Sequence, residues 1–505
     1  MGANQSKAPI INEKLVIERL RALEVKGEVA SDEEYVHVEK GAHSSKSFDP
    51  SLRSPSSLSA TRLEKWEHQL FQDPKNRLAL SALSSADPRT VLTSRSTAIK
   101  DQQVFNVKIP FEGAPITNQR QSGRCWLFAS TNVFRVALMK RHSLDNFELS
   151  QAYLFFYDKL EKANFFLEQV LDTANEDLDS RLIRTLLSNP VSDGGQWDMV
   201  YNLVKKYGLV PQVLYPDSFN AKASSAINSI ITTKLREDAL QLRSLAKSAN
   251  NAQINDVKEK MMQEIHLILT LTLGPPPSPT QEFTWSYLDK DGKAGTLKTT
   301  PLDFAEELST SQSIRITNTK IHDMFSLVHD PRHEYNTLLT VERLGNIIGG
   351  RGITYVNVPM PVLKKACVAM LQSGLPIFFG SDVGKYSNSG SGIMDTGLID
   401  YELGFNVRLG MTKAQRLQTG ESAMTHAMVL TGVHLEDGES VRWRVQNSWG
   451  TDAGSDGWFV MSDQWMDEFV YQAVVEPRFV SKEVRDVLKT KATVLPLWDP
   501  MGSLA

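Results

Sequence analysis

The chain has 505 residues, of which 41% are hydrophobic and 23% are charged, and this composition excludes a disordered or fibrous protein. Its 55 Lys and Arg residues nearly balance 59 Asp and Glu residues, for a net charge of −4. No global positive field therefore attracts the protein to nucleic acid or to an anionic membrane. The net charge does not exclude a local basic patch.

Two cysteines, Cys125 and Cys367, are too few for a disulfide framework, which agrees with a reducing compartment. No segment approaches the roughly 18 to 20 uninterrupted apolar residues of a membrane span. The first residues also lack the apolar run of a secretory signal. The sequence therefore predicts a cytoplasmic protein.

Residues 1–58 differ from the rest of the chain. After one short amphipathic stretch, with Asn12 as the predicted N-cap, they become acidic and Ser-rich, so we predict a flexible extension. The start, MGANQS, fits the N-myristoylation pattern and makes Gly2 a lipidation candidate. With 8 basic and 9 acidic side chains the extension has no polybasic second signal, so acylation predicts at most reversible membrane association.

From residue 59 onward the pattern is that of a globular domain. Helical periodicity runs through residues 125–140 and 147–171, and a helical hairpin is predicted between residues 225 and 273. Gly274 and the three prolines that follow it end the hairpin. The apolar period then changes to two, which predicts late strands, and helices followed by strands in one large unit favour an α+β fold.

Cys125 begins a long apolar helical segment, directly after Ser122-Gly123-Arg124. At a helix N-terminus the unpaired N–H groups and the helix dipole favour a thiolate, and a neighbouring imidazolium favours it further. The alternative is a small buried hydrophobic residue, which is the common role of an isolated intracellular cysteine. Position alone does not decide between these two interpretations.

Two residues late in the chain supply partners for such a thiol. His426 lies in an apolar, strand-like run, and Asn447 follows 21 residues later at the end of another predicted strand. Taken singly, each has a structural explanation, as a core histidine and as a turn residue. Together they provide a base for the thiol and an amide that holds the imidazole tautomer.

The order of these residues resembles the papain clan of cysteine peptidases, whose Cys motif matches residues 122–126 with Ser122 in place of the first cysteine. The resemblance to its bleomycin hydrolase subfamily covers residues 59–505. It is carried by the strings FELSQAYLFF (147–156), DGGQ (193–196), DPRH (330–333), THAM (425–428) and LPLWDPMG (495–502).

This resemblance implies a papain-like fold, with a helical subdomain, a β-rich subdomain and a C-terminal arm at 495–505. The separation of Cys125 from His426 is about twice the roughly 130 to 150 residues of papain relatives, so we expect a large helical insertion at roughly 220–350. Ser122 is expected to act as N-cap for the helix that carries Cys125.

The resemblance also implies the catalytic roles: Cys125 as nucleophile, His426 as base and Asn447 as the group that orients the imidazole. Gln119 is implied as an oxyanion donor beside the Cys125 backbone N–H, a kind of group typically worth about 10² to 10³ in rate. Trp449 is expected to shield the hydrogen bond between His426 and Asn447 from water.

The remaining implied residues concern the substrate. Gly194 and Gly195 resemble the cleft wall that pairs with a substrate backbone, and a plain loop is the alternative. The Ala505 carboxylate is expected to pair with the α-ammonium of an incoming peptide. The implied function is therefore a cysteine aminopeptidase of broad specificity for peptides with a free N-terminus, with bleomycin and homocysteine thiolactone as further substrates and a homohexamer as the assembly.

The implied acyl transfer requires no metal and no organic cofactor. His329 and His333 have a metal-ligand spacing, but Pro331 between them disfavours the helix that would align them. The alternative function is a nucleic-acid-binding protein on a degenerate peptidase scaffold. Salt-dependent retention on DNA would support that alternative.

Overall fold

The computed structural model describes residues 57–310 and 323–504, and the chain divides into two compact units, Met1–Gln72 and Asp73–Ala505. In the first unit, helix α1 (Ala60–Leu70) begins at Ser59, whose side chain accepts a hydrogen bond from the Arg62 N–H. The predictions for Gly2, for Asn12 and for a flexible extension fall on residues outside the described part, as does Ala505.

The second unit contains most of its helices in its first half and most of its strands in its second half. The helices are α2 (Pro74–Leu83), α3 (Pro88–Val91), α4 (Arg95–Lys100), α5 (Cys125–Arg141), α6 (Gln151–Asp172), α7 (Arg181–Ser188), α8 (Trp197–Tyr207), α9 (Phe219–Lys222), α10 (Ser225–Leu245), α11 (Asn251–Leu273), α12 (Pro301–Thr310), α13 (Met360–Gln372), α14 (Tyr401–Phe405), α15 (Lys413–Thr419), α16 (Asp463–Phe469) and α17 (Lys482–Asp486).

The strands are β1 (Val107–Lys108), β2 (Phe283–Leu288), β3 (Ala294–Thr299), β4 (Phe325–Val328), β5 (Thr337–Val341), β6 (Tyr355–Asn357), β7 (Ile377–Ser381), β8 (Ser387–Asn388), β9 (Ile393–Met394), β10 (His426–Glu436), β11 (Glu439–Gln446), β12 (Trp458–Ser462), β13 (Val470–Val475) and β14 (Thr493–Leu495). This arrangement confirms the predicted α+β class.

One sheet of the described chain joins twelve strands, in the order β14-β5-β6-β4-β13-β7-β10-β11-β12-β9-β8, with β1 paired to β10. Strand β10 lies near its middle and pairs antiparallel with both β7 and β11. The first eight residues of β10 are all buried, which explains their unbroken apolar sequence. The central position of β10 holds its first residue, His426, at a rigid point of the fold.

Helix α5 packs against β10 and is buried on almost every side. The neighbouring helix α6 begins later than the pattern from residue 147 predicts. Ser150 caps it by accepting a hydrogen bond from the Tyr153 N–H, and the Phe147 N–H instead donates to the carbonyl of Ala114. The apolar residues before Ser150 are therefore buried outside the helix, and burial alone does not mark a helix start.

The predicted helical hairpin is confirmed by α10 and α11. A capping box between Asn250 and Gln253 begins α11, and Gly274 ends it at φ +87°. The stretch 220–350 is not helical throughout, however. Strands β4 and β5 belong to the large sheet, and β2 pairs with β3 in a separate hairpin, because apolar alternation in these short segments is satisfied only by strand pairing.

Gly208 ends α8 at a point of close backbone approach. Its φ is +76° and its ψ is −156°, a region that side chains rarely tolerate. An added Cβ would lie 2.1 Å from the Pro301 carbonyl oxygen, which itself accepts a hydrogen bond from the Leu209 N–H. Helix α8 is thereby held against the start of α12.

We predict that Gly208→Ala lowers the free energy of unfolding by about 2 kcal/mol or more, since backbone strain of about 1–3 kcal/mol is joined by a clash with main-chain atoms. Gly274→Ala is the matched control, because Gly274 also has a positive φ but no atom within 4 Å of the added Cβ. Calorimetric melting of both variants checks the prediction. Equal losses in the two would show that the approach to Pro301 adds nothing.

Candidate active site

Cys125 is the first residue of α5 and is only 2% exposed. The backbone N–H groups of Ala427 and Trp126 lie close enough to its thiol to lower the thiol pKa, against the larger opposing effect of burial. Ala427 directly follows His426 on β10, so this contact joins the start of the helix to the start of the strand. The nucleophile and the base predicted from the sequence therefore lie side by side.

The amide of Asn447 holds the His426 ring. His426 Nε2 lies 2.8 Å from Asn447 Oδ1, and the same oxygen accepts the Ser448 backbone N–H at 2.8 Å. A backbone N–H can only donate, so the amide oxygen must face the ring, and His426 Nε2 must carry the proton. The unprotonated Nδ1 is left as the base for the thiol.

The Trp449 ring packs against the His426 ring of this pair. Its ring centroid lies 4.8 Å from that of His426, with an angle of 32° between the planes. Its backbone forms an isolated antiparallel bridge with Asn118. The segment before the nucleophile is therefore tied to the segment after Asn447.

Gln119 directly follows the bridged Asn118 and is 7% exposed. Its backbone N–H donates to the Ser448 carbonyl, and its side-chain Oε1 accepts the Ser448 hydroxyl at 2.8 Å. Its Nε2 donates to the Ser122 carbonyl at 2.7 Å, which uses one of its two N–H bonds. The other is the candidate oxyanion donor, and the amide is already fixed in orientation.

Burial opposes any isolated charge at this site. It raises the pKa of the Cys125 thiol to about 11. It also lowers the pKa of His426 to about 4, while the hydrogen bond that the ring donates to Asn447 acts in the opposite direction. Transfer of the thiol proton to His426 Nδ1 creates both charges together, so that each is the partner of the other.

The predicted N-cap role of Ser122 is wrong. Arg124 occupies the N-cap position of α5 and no side chain caps the helix. The Ser122 hydroxyl instead donates to the Gln119 carbonyl and accepts from Arg124 Nε. A capping side chain accepts hydrogen bonds from the first N–H groups of a helix. Because α5 has no such side chain, its first N–H groups remain available near Cys125.

Arg124 is a buried residue of the site that the sequence did not reveal. It is 0% exposed, and its guanidinium makes a two-pronged pair with Asp217 at 2.8 and 2.9 Å. The Phe128 and Phe155 rings lie 5.1 and 5.5 Å from it. Its partner is 93 residues away, so no local pattern could have indicated the pair.

Gly194 and Gly195 are both buried beside Trp126. A Cβ on Gly195 would lie 2.5 Å from the Trp126 ring, so only glycine allows this approach. Trp126 Nε1 donates to the carbonyl of Asp193 at 2.6 Å. The two glycines are thus held next to the residue that follows the nucleophile, and their role as a cleft wall stays a prediction.

The C-terminal arm reaches both sides of the site. The Ser503 carbonyl accepts from Gln196 Nε2 at 2.6 Å, and the Ser503 hydroxyl donates to the Met424 carbonyl at 2.8 Å. Gln196 follows the glycine wall, and Met424 lies two residues before His426. Ala505, the predicted ammonium partner, lies outside the described residues.

Within residues 57–310 and 323–504, no group of three His, Cys, Asp or Glu side chains could hold a metal ion. His329 contacts the Tyr335 hydroxyl at 3.1 Å, and His333 lies 3.6 Å from Asp330.

In the same described part, no helix is long and apolar enough to cross a membrane.

Comparisons with known proteins show the family to which this fold belongs. The model of the Peptidase C1-like family matches residues 57–502. Human bleomycin hydrolase is 43% identical over 464 residues, which span 90% of this chain and 100% of the relative. Cysteine proteinase 1, mitochondrial, of Saccharomyces cerevisiae (strain JAY291) is 42% identical over 464 residues, spanning 90% of this chain and 94% of the relative.

A solved structure, PepW from Lactobacillus rhamnosis HN001, is similar with a TM-score of 0.85 and 39% identity. The match covers 89% of this chain and 100% of that chain. The architecture described above is therefore shared along almost the whole length of another protein.

We predict that His426→Gln changes the pH dependence of Cys125 alkylation. Without its base, the thiol stays protonated below its raised pKa of about 11, so the rate should rise with pH towards that value. At pH 7 we expect a rate at least about 10³-fold below wild type. Stopped-flow alkylation with iodoacetamide between pH 6 and 10 measures this profile.

His434→Gln is the control, since His434 lies on the same strand but contacts Glu436 rather than the thiol. Cys367 should not react, because it is fully buried and burial raises its pKa to about 12. A Cys125→Ser chain should therefore take up no label. An unchanged neutral-pH rate in His426→Gln would contradict the assignment of His426 as the base.

Proposed function

The chain belongs to the Peptidase C1-like family and is a cysteine peptidase of the bleomycin hydrolase type, and we propose that it is a cytoplasmic aminopeptidase of broad side-chain specificity. The observation that carries this proposal is the anchoring of Ser503 between Gln196 and Met424. A chain end held at the entrance of a cleft leaves room for few substrate residues before the scissile bond.

The proposed reaction is acyl transfer through a thioester. Cys125 Sγ attacks the carbonyl carbon while His426 Nδ1 accepts the thiol proton, and His426 then returns that proton to the leaving amine. Water attacks the thioester next, with His426 as base, and the thiol regains its proton as the acid is released. The Gln119 amide and the Cys125 backbone N–H are the proposed donors to the oxyanion.

Several contacts support a firmly seated arm. Arg332 pairs with Asp499 at 2.8 Å, and Tyr355 donates to the carbonyl of the buried Met501 at 3.2 Å. Beyond Ser503 the two last residues span at most about 7 Å. We propose that the Ala505 carboxylate pairs within that reach with the α-ammonium of the substrate, which selects free N-termini by charge and by blocked space.

Bleomycin and homocysteine thiolactone are proposed as further substrates. One relative is named for the hydrolysis of bleomycin, and both compounds offer a carbonyl carbon that a thiolate attacks, with an amine or a thiol as the leaving group. Broad specificity follows from the same proposal, since recognition by the α-ammonium depends little on the side chain that it accompanies.

Assembly and location are proposed from the sequence. We propose a homohexamer, which only the resemblance to bleomycin hydrolases supports. We also propose a cytoplasmic protein with reversible membrane association through acylated Gly2, supported by the lack of a disulfide framework and by the N-terminal motif. The yeast relative carries the word mitochondrial in its name, which is said of that protein. Light scattering and the intact mass of the N-terminal peptide from a eukaryotic host decide these points.

We predict that deletion of residues 498–505 weakens stepwise removal of N-terminal residues and admits N-acetyl peptides to internal cleavage. The physical reason is that the arm blocks the space beyond the first substrate residue. Mass spectrometry of the product ladders from one peptide, free and N-acetylated, measures both effects.

A semisynthetic chain ending in an Ala505 carboxamide is the matched control, because it keeps the arm and removes only the charge. It should bind free peptides more weakly, with KM raised by about tenfold for one lost ion pair, while it still refuses N-acetyl peptides. An unchanged ladder from the truncated enzyme would contradict the arm's role.

A further inference from the structure

Four successive backbone carbonyls lead up to the glycine wall, and each accepts a hydrogen bond from a buried side chain. The pairs are Val191 with Lys159 Nζ at 3.0 Å, Ser192 with Lys162 Nζ at 3.1 Å, Asp193 with Trp126 Nε1 at 2.6 Å, and Gly194 with Lys162 Nζ at 2.6 Å. Every carbonyl from Val191 to Gly194 is therefore hydrogen-bonded.

The two lysines that supply three of these four bonds lie one turn apart on α6 and are 0% and 4% exposed, in chain order. Lys162 pairs with Asp158 at 2.7 Å, and Lys159 pairs with Asp193 at 2.6 Å. Buried ion pairs contribute little net stability compared with apolar side chains of similar size. Two of them beneath one loop indicate a need for a defined loop position.

The same network ties the loop to the nucleophile. The Asp193 carboxylate accepts the Gly123 backbone N–H at 2.9 Å, two residues before Cys125. The Trp126 ring, directly after Cys125, lies against Gly195 on one side and 5.1 Å from the Lys162 ammonium. The distance between the wall and the thiol is therefore set by groups on both sides of Cys125.

The run of hydrogen-bonded carbonyls ends at Gly195. Its backbone makes no hydrogen bond to residues 57–310 or 323–504. A backbone N–H and carbonyl left unpaired at a cleft are suited to pairing with an extended peptide. We propose that Lys159 and Lys162 are positioning residues, which hold the Gly195 backbone in register with the substrate peptide bound at Cys125.

This inference rests on the proposed aminopeptidase function, and it predicts a defined kinetic signature. Pairing of the wall with the substrate backbone is the same in the ground state and in the transition state. Its loss should therefore raise KM and leave kcat nearly unchanged. The reactivity of Cys125 towards iodoacetamide should not change, because that reagent makes no contact with the wall.

The test uses Lys162→Met combined with Asp158→Asn, which removes both charges and leaves neither partner buried as an unpaired ion. We expect KM for free N-terminal peptides to rise about tenfold, the factor for roughly one lost backbone hydrogen bond, with kcat within about twofold of wild type. Lys206→Met with Glu161→Gln is the matched control, because it neutralises the pair at 2.5 Å on another face of α6. The control should keep the wild-type KM.

Titration of the thiol with iodoacetamide normalises every rate to folded enzyme. If the double variant fails to fold, Lys162→Arg keeps the charge and should still raise KM several-fold, because a planar guanidinium cannot reproduce the two bonds to Ser192 and Gly194. An unchanged KM, or a parallel fall of kcat and of the alkylation rate, would overturn the inference. Wild-type enzyme that cleaves no free N-terminal peptide would overturn the proposed function instead.

Discussion

The contact between the Cys125 thiol and the Ala427 backbone N–H is the interaction on which the site depends. It joins the first residue of a buried helix to the second residue of a central strand. The nucleophile and the base therefore belong to different halves of the fold. A second junction runs parallel to it, where Asn118 bridges to Trp449. Neither half contains a complete site, and the packing of helix α5 on strand β10 brings the two together.

Burial gives this junction its electrostatic character. The closed surroundings hold the thiol pKa at about 11 and the His426 pKa at about 4, so at pH 7 neither group is charged alone. The hydrogen bonds that Asn447 Oδ1 accepts place a proton on His426 Nε2. The other ring nitrogen, Nδ1, is therefore the one that accepts the thiol proton. Reactivity then arises from proton movement within the pair, which requires their relative position to be exact to a fraction of an ångström.

The sequence predicted the chemistry better than it predicted the scaffold around it. Cys125, His426 and Asn447 could be proposed from residue type, position and resemblance, and the structure brings them together. The Ser122 cap failed because a serine near a helix start has several backbone groups within reach. Lys162 and Asp193 could not be recognised, since their partners lie in other elements and a lysine in an amphipathic helix is ordinarily exposed. The strands at 325–341 could not be predicted for a related reason. Whether a short apolar run forms a strand depends on the neighbouring strands with which it pairs.

The central claim is that peptide hydrolysis proceeds through a thioester on Cys125, and trapping that thioester tests it most directly. Wild-type enzyme mixed with an activated ester of a free amino acid and quenched in acid within milliseconds would be analysed by intact mass and peptide mapping. The account predicts an adduct with the mass of one aminoacyl group, on the peptide that contains Cys125, which disappears on longer incubation. Turnover of the ester without such an adduct, or an adduct on another residue, would contradict it.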